Sequence, residues 1–260
     1  MTPMIFWAIS PAILIVVYFF FRDRFPEPPR IVFYTFALGV LSIIPISILN
    51  IFLDFYGDSL NTSYFAKDFY FNFLRAAFHE ELYKFLILIY FCSRLTEFNE
   101  PMDAIIYGIA VSLGYAAFEN VGYVVGHANF NYTWKELAFI RVLPTLMHGV
   151  NGSIMGLLLS KILFDKRSDH TKLILALVIP VFFHGIYNQL IQYVTLVSIL
   201  MLLIASIYVF ILIRRMRASQ EAKIIEAETK FLINHSIIFQ SIFLTLILVI
   251  ISVAFVVGMS

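Results

Sequence analysis

The chain has 260 residues, 61% of them hydrophobic and only 13% charged, against about 25% charged in soluble domains. That composition excludes a water-soluble globule and describes a polytopic membrane protein. A formal net charge of +1 leaves no basic face for nucleic acid, and the single Cys92 excludes an intramolecular disulfide and a cysteine-based zinc cluster.

A bilayer span needs about 20 mostly apolar residues. Eight segments meet or approach that length: 3–21, 31–53, 76–93, 102–125, 141–163, 173–193, 195–213 and 236–258. The first lacks a basic leader and a small-residue cleavage site, so it reads as a retained helix. Residues 22–30, Arg-Asp-Arg-Phe-Pro-Glu-Pro-Pro-Arg, form a stiff link, because the prolines cannot continue a helix. The third span opens on Glu80 and Glu81, with Lys84 one turn on. The fourth starts at Asp103 after Pro101, an ordinary helix N-terminal carboxylate, and reaches Glu119 and Asn120. Its small residues (Gly108, Ala110, Ser112, Gly114, Ala116, Ala117) and those of the fifth span (Gly149, Gly152, Ser153, Gly156) predict close helix packing. The apolar stretch 173–213 divides near Gln192-Tyr-Val-Thr195. Residues 214–230 read as a short charged helix, a solvated connector to the last span.

Lys and Arg set the expected orientation. Loops 22–30, 94–101, 161–172 and 214–235 hold thirteen of the 18, and the opposite loops hold Lys67, Arg75, Lys135 and Arg141. The basic loops are therefore expected in the cytoplasm, with the N and C termini extracytoplasmic. The expected fold is all-α, a membrane helical bundle of about eight transmembrane helices.

That topology brings Glu80, Glu81, Glu119, Asn120, His148, His184 and Asn188 from four helices to a similar depth in the outer half of the bilayer. An ionisable group there costs roughly 2.5–3.5 kcal/mol on insertion scales, so such a group points to a pathway or to chemistry. His184 and Asn188, at i and i+4, can present two donors to one oxygen, as an oxyanion hole requires. Glu80 or Glu81 can take a proton from water as general base, with Lys84 keeping one of them ionised. The set can also hold a divalent metal such as Zn2+, through Glu81, Glu119, His148 and His184, since two imidazoles, a carboxylate and water match a catalytic zinc site. Plainer readings stand beside these. Glu80, Glu81 and Lys84 alone also fit an interfacial charge cluster, and His148 or the His184–Asn188 pair also fits simple helix bridging. His79 reads as structural, and His127, His170 and His235 as loop residues without a role.

Glu80-Glu81-Leu-Tyr-Lys84 resembles the EExxK motif of the PrsW family of intramembrane proteases. Phe118-Glu119-Asn120-Val-Gly-Tyr123, Arg141 through Pro144 to His148, and His184-Gly-Ile-Tyr-Asn188 resemble its later motifs, and Arg-Phe-Pro-Glu-Pro-Pro its proline-rich link. The resemblance covers residues 1–190. It implies a multi-pass protease of the bacterial cell membrane, cleaving a membrane-tethered protein such as an anti-sigma factor, related to the CAAX-processing and Abi proteases. Carried over, Glu80 is the base, Glu81 its support, His148 the assisting group, and His184 and Asn188 the oxyanion donors, with Lys84, Glu119 and Asn120 supporting. Lys84 stands where the relatives have an arginine one place later, and Pro144 precedes His148 where they have phenylalanine. On this reading residues 1–260 form a single transmembrane domain, with a catalytic core at about 76–193, a charged cytoplasmic connector at 214–235 and an extra C-terminal span at 236–258. Two rivals remain: a proton- or cation-coupled transporter, and a non-catalytic receptor or scaffold. The apolar runs Phe85–Phe91, Leu157–Leu159 and Leu173–Val178 argue against a relay to both sides.

Overall fold

The computed structural model describes residues 2–127, 133–164, 171–220 and 234–259. The described secondary structure is entirely helical. Helix α1 (Thr2–Arg22) leads through the proline link to α2 (Pro29–Leu41) and α3 (Ile43–Ser59). The predicted span 31–53 is thus part of a longer run broken after Leu41. Pro45 explains the break: it has no N–H, and its ring excludes the carbonyl four residues back. Ser42 caps the break, its hydroxyl donating to the Gly39 carbonyl at 2.6 Å.

The predicted span 76–93 also begins earlier. A continuous helical run starts at α4 (Tyr64–Tyr70), passes through a π-helical segment (Phe71–Phe78) and ends in α5 (His79–Tyr90). Ser63 caps it by accepting from the Ala66 N–H at 3.3 Å. Composition hid the start, because Lys67, Asp68, Asn72 and Arg75 interrupt the apolar pattern. Arg75 forms a forked pair with Asp54 at 2.7 and 3.1 Å, and Lys67 meets Asp58 at 3.4 Å, so α3 supplies the countercharges. Seven helical runs among the described residues are long and apolar enough to cross a membrane. The run from Tyr64 to Tyr90 is the remaining expected crossing, set apart by its charges.

The other elements are α6 (Pro101–His127), α7 (Trp134–Ile140), α8 (Val142–Phe164), α9 (Thr171–Tyr193), α10 (Thr195–Ser219) and α11 (His235–Gly258). Thr133 and Glu136 start α7 with a reciprocal capping box. The chain breaks again at Arg141, three residues before Pro144. The division of 173–213 falls at Val194, within the expected tetrapeptide. Residues 214–219 continue α10, and the rest of the expected charged helix lies outside the described residues.

Helix α6 is the centre of the bundle, buried on nearly every side from Met102 to Ala117. Its small residues explain that position. A Cβ added at Gly108 would collide with the Gly152 carbonyl of α8, and one at Gly152 with the Gly108 carbonyl. Only glycine at both positions allows the two backbones to meet. Helices α3, α10 and α11 instead expose large apolar side chains such as Phe55, Ile204 and Phe239. With no described element covering them, those faces suit lipid.

Candidate active site

The π-helical segment ends at Phe78, two residues before the first of the paired glutamates. Such segments add a residue to the helical repeat and often stand at functional sites. Here Phe69 and Phe73 stack at 4.1 Å between centroids, and Gly185 of α9 faces the Phe73 ring. The segment thereby packs against the turn that carries His184.

Glu81 is fully buried and forms the hub of the cluster. Its Oε1 accepts from Lys84 Nζ at 2.9 Å, from His184 Nδ1 at 2.9 Å and from Asn151 Nδ2 at 3.3 Å. Glu81 and Lys84 are both wholly shielded from solvent. The carboxylate fixes the tautomer of His184: Nδ1 carries the proton, and the Nε2 lone pair is left free. That Nε2 lies 3.9 Å from Glu80 Oε2, a buried oxygen with no hydrogen-bond partner.

His148 of α8 approaches from the other side. Its Nδ1 lies 3.0 Å from Lys84 Nζ and its Nε2 3.3 Å from Glu119 Oε2. An ammonium has no acceptor, so Nδ1 accepts and Nε2 donates. The two imidazoles stand edge to face at 5.1 Å. Tyr115 closes this side, with the Lys84 ammonium 4.6 Å above its ring and His148 against its edge.

Glu119 and Asn120 are held from α8. Arg141 donates to Glu119 Oε2 through its terminal nitrogen and to Asn120 Oδ1 through Nε at 2.7 Å. Asn120 in turn donates to Thr145 Oγ1 at 2.8 Å and to the Ala8 carbonyl at 3.1 Å, tying α1 to the site. The Glu119 side chain is 32% exposed, whereas those of Glu80, Glu81, His148 and His184 are nearly closed off. The site therefore opens beside Glu119.

The structure thus joins Glu80, Glu81, Lys84, Glu119, His148 and His184 into one network, with Asn120 bound to its rim. Asn188 lies one turn beyond His184 on the same helix and is half-buried. His79 contacts the Arg75 carbonyl at 3.3 Å, outside the cluster. His127 stacks on Tyr123 and His235 on Tyr90, while His170 lies outside the described residues. Sequence reasoning missed Asn151 and Tyr115. Both had a spacing signal: Asn151 is three residues from His148, and Tyr115 four residues from Glu119, each on a helix of small residues.

One ligand atom from each of Glu80, His148 and His184 lies within 4.8 Å of the other two. Glu81 and Glu119 have partners of their own. The orphaned Glu80 oxygen and the free His184 Nε2 fit a divalent metal. Two imidazoles with one carboxylate would form a catalytic zinc donor set, which His148 completes in its other tautomer, with Nε2 released from Glu119.

A buried imidazole–carboxylate cluster inside apolar helices is the kind of site a membrane-embedded hydrolase uses. The comparisons agree. Residues 27–213 match the model of the PrsW family intramembrane metalloproteases. The chain is 36% identical to the protease PrsW of Bacillus subtilis over 183 residues, 69% of this chain and 78% of that protein. It is 30% identical to the Oceanobacillus iheyensis protease PrsW, covering 71% and 80%, and 28% identical to that of Clostridioides difficile, covering 79% and 84%. No solved structure matches. The chain belongs to the PrsW family: it is a peptidase, and a multi-pass protein of the bacterial cell membrane.

Proposed function

We propose that the chain hydrolyses a peptide bond of a membrane-tethered protein, near the substrate's extracytoplasmic juxtamembrane region, with water activated in the pocket between Glu80, His148 and His184. A membrane-bound anti-sigma factor is the substrate class that the family suggests. The observation that carries this reading is the free Glu80 Oε2, buried and aimed at His184 with no structural partner. A buried polar group left unpaired costs about 1–3 kcal/mol, and a bound water or ligand removes that cost.

The residues divide the work. Glu80 takes the proton of the attacking water and returns it to the leaving amine. Glu81 holds His184 in one tautomer, and Lys84 neutralises Glu81 while donating to His148. Asn188 is the oxyanion donor as the carbonyl is attacked, whereas His184, expected as a second donor, offers Nε2 as an acceptor to the attacking water because its Nδ1–H is held by Glu81. Arg141 holds Glu119 at the entrance, where His148 is oriented through its Nε2. Were zinc bound, Glu80 and His184 Nε2 would hold it, with His148 joining in the tautomer that frees Nε2 from Glu119, and it would supply an acidified water and a polarised carbonyl. The site lies at the end of the bundle away from the basic loops. With those loops cytoplasmic, and both termini outside, it faces the extracytoplasmic half of the membrane, within one transmembrane domain.

The test uses the purified protein in proteoliposomes with a single-pass reporter. His184→Ala and His148→Ala are expected to abolish cleavage and to remove the bound zinc, about one ion per chain in the wild type, with the helical content unchanged. Undiminished cleavage by both variants would overturn the proposal.

A further inference from the structure

A second buried polar cluster lies at the opposite end of α6, 16 residues from Glu119, which is about 24 Å at 1.5 Å per residue. Asp23 follows α1, Glu27 sits in the proline link, Glu100 and Asp103 begin α6, and Gln220 ends α10. Asp23, Glu27 and Gln220 are 7%, 6% and 7% exposed, and Asp103 is wholly buried. One oxygen from each of Asp23, Glu100 and Asp103 lies within 4.8 Å of the other two.

The cluster is held rigidly. Asp103 Oδ2 accepts from the backbone N–H groups of Asn99 at 2.8 Å and Glu100 at 2.7 Å. Gln220 Nε2 donates to Asp23 Oδ1 at 3.0 Å and to Glu100 Oε1 at 2.7 Å. The Tyr107 hydroxyl donates to Glu27 Oε2 at 2.8 Å. Three buried oxygens of this constellation nonetheless have no partner: Asp23 Oδ2, Asp103 Oδ1 and Gln220 Oε1. An N-terminal cap needs one carboxylate, and Asp103 Oδ2 alone supplies it, so capping accounts for none of the three.

We propose that this cluster is a divalent-cation site, separate from the peptidase site, that takes Ca2+ through Asp23, Glu100 and Asp103, with Glu27 and Gln220 as neighbouring oxygen donors. The donors are all oxygens, which selects a hard cation. Ca2+ accepts oxygens at 2.3–2.6 Å, so opposite ligands stand about 4.6–5.2 Å apart. The charges also call for a cation. Asp23, Glu27, Glu100 and Asp103 bring four carboxyl groups together, and the bonds described above come from neutral donors, Gln220, Tyr107 and backbone N–H groups. Basic side chains of the same helix ends, Arg22, Arg214 and Arg217, line a neighbouring cavity with Tyr18 and Met102. An ion here joins the ends of α1, α6 and α10, and so fixes the proline link that Glu27 occupies.

The experiment is Tb3+ luminescence and thermal unfolding on the full chain in detergent, at pH 8 after chelation. Tb3+ sensitised by Tyr107 should be displaced by Ca2+, and Ca2+ should raise the melting temperature by several degrees. Asp23→Asn and Asp103→Asn should each weaken the Ca2+ midpoint about tenfold or more, since ligand charge tunes such sites. Glu100→Gln, the more exposed position, serves where those variants do not fold. No response to Ca2+ up to about 10 mM, beyond the weakest natural sites, would overturn the proposal. So would variants more stable than wild type and indifferent to Ca2+, which would mean that the carboxyls simply share protons.

Discussion

Glu80→Gln is expected to lower turnover of a membrane-tethered substrate by about 10²–10⁴-fold, the usual contribution of a positioned acid–base group, while leaving the melting temperature within a degree or two of wild type. The side chain keeps its shape, and Glu80 Oε2 has no hydrogen-bond partner to lose, lying 3.9 Å from His184 Nε2. Turnover by the variant, measured beside its thermal unfolding, checks both halves. Wild-type turnover would remove Glu80 from the chemistry. A large fall in stability would make it a structural residue.

Glu81→Ala and Lys84→Met should behave in the opposite way, each destabilising the fold by about 3–5 kcal/mol, as expected when one partner of a buried ion pair is removed. Both side chains are fully shielded, and Glu81 Oε1 gathers donors from Lys84, His184 and Asn151. Removing it leaves the His184 N–H without its acceptor and the buried Lys84 ammonium with no countercharge, held only by His148 Nδ1. The double substitution Glu81→Leu with Lys84→Met should recover much of the stability, because no charge is then stranded, but not the activity, because His184 loses its orienting partner. Denaturant unfolding of the singles and the double closes that cycle. Additive losses would show that the pair does not act as a unit.

The contrast between these neighbours was only half legible in the sequence. Polar residues at matched depths, together with the HxxxN and EExxK spacing, brought Glu80, Glu81, Glu119, His148 and His184 together in advance. Spacing could not say which glutamate points into the pocket, since residues i and i+1 diverge by about 100° on a helix and the π-helical segment shifts the register. Asn151 and Tyr115 were overlooked because each, taken alone, is an ordinary residue of a packed helix. The spans were legible where apolar runs were unbroken, as in α9 to α11. They were misjudged where the governing signal was a proline three or four residues downstream, at Pro45 and Pro144, or a charge paired across helices, at Arg75 with Asp54. The acidic cluster at Asp23, Glu100, Asp103 and Gln220 left no local trace. Its members come from three separate segments, and Asp103 reads as an N-terminal cap.

The central claim is that the Glu80–His148–His184 pocket cuts its substrate within the membrane-proximal region on the side away from the basic loops. Mass spectrometry of a single-pass reporter, cut by the purified wild-type protein in proteoliposomes, tests it directly. The account predicts one dominant new terminus close to the extracytoplasmic edge of the reporter's span. A dominant cut at the end bordered by the basic loops, or equal cutting of a soluble peptide with no membrane anchor, would contradict it.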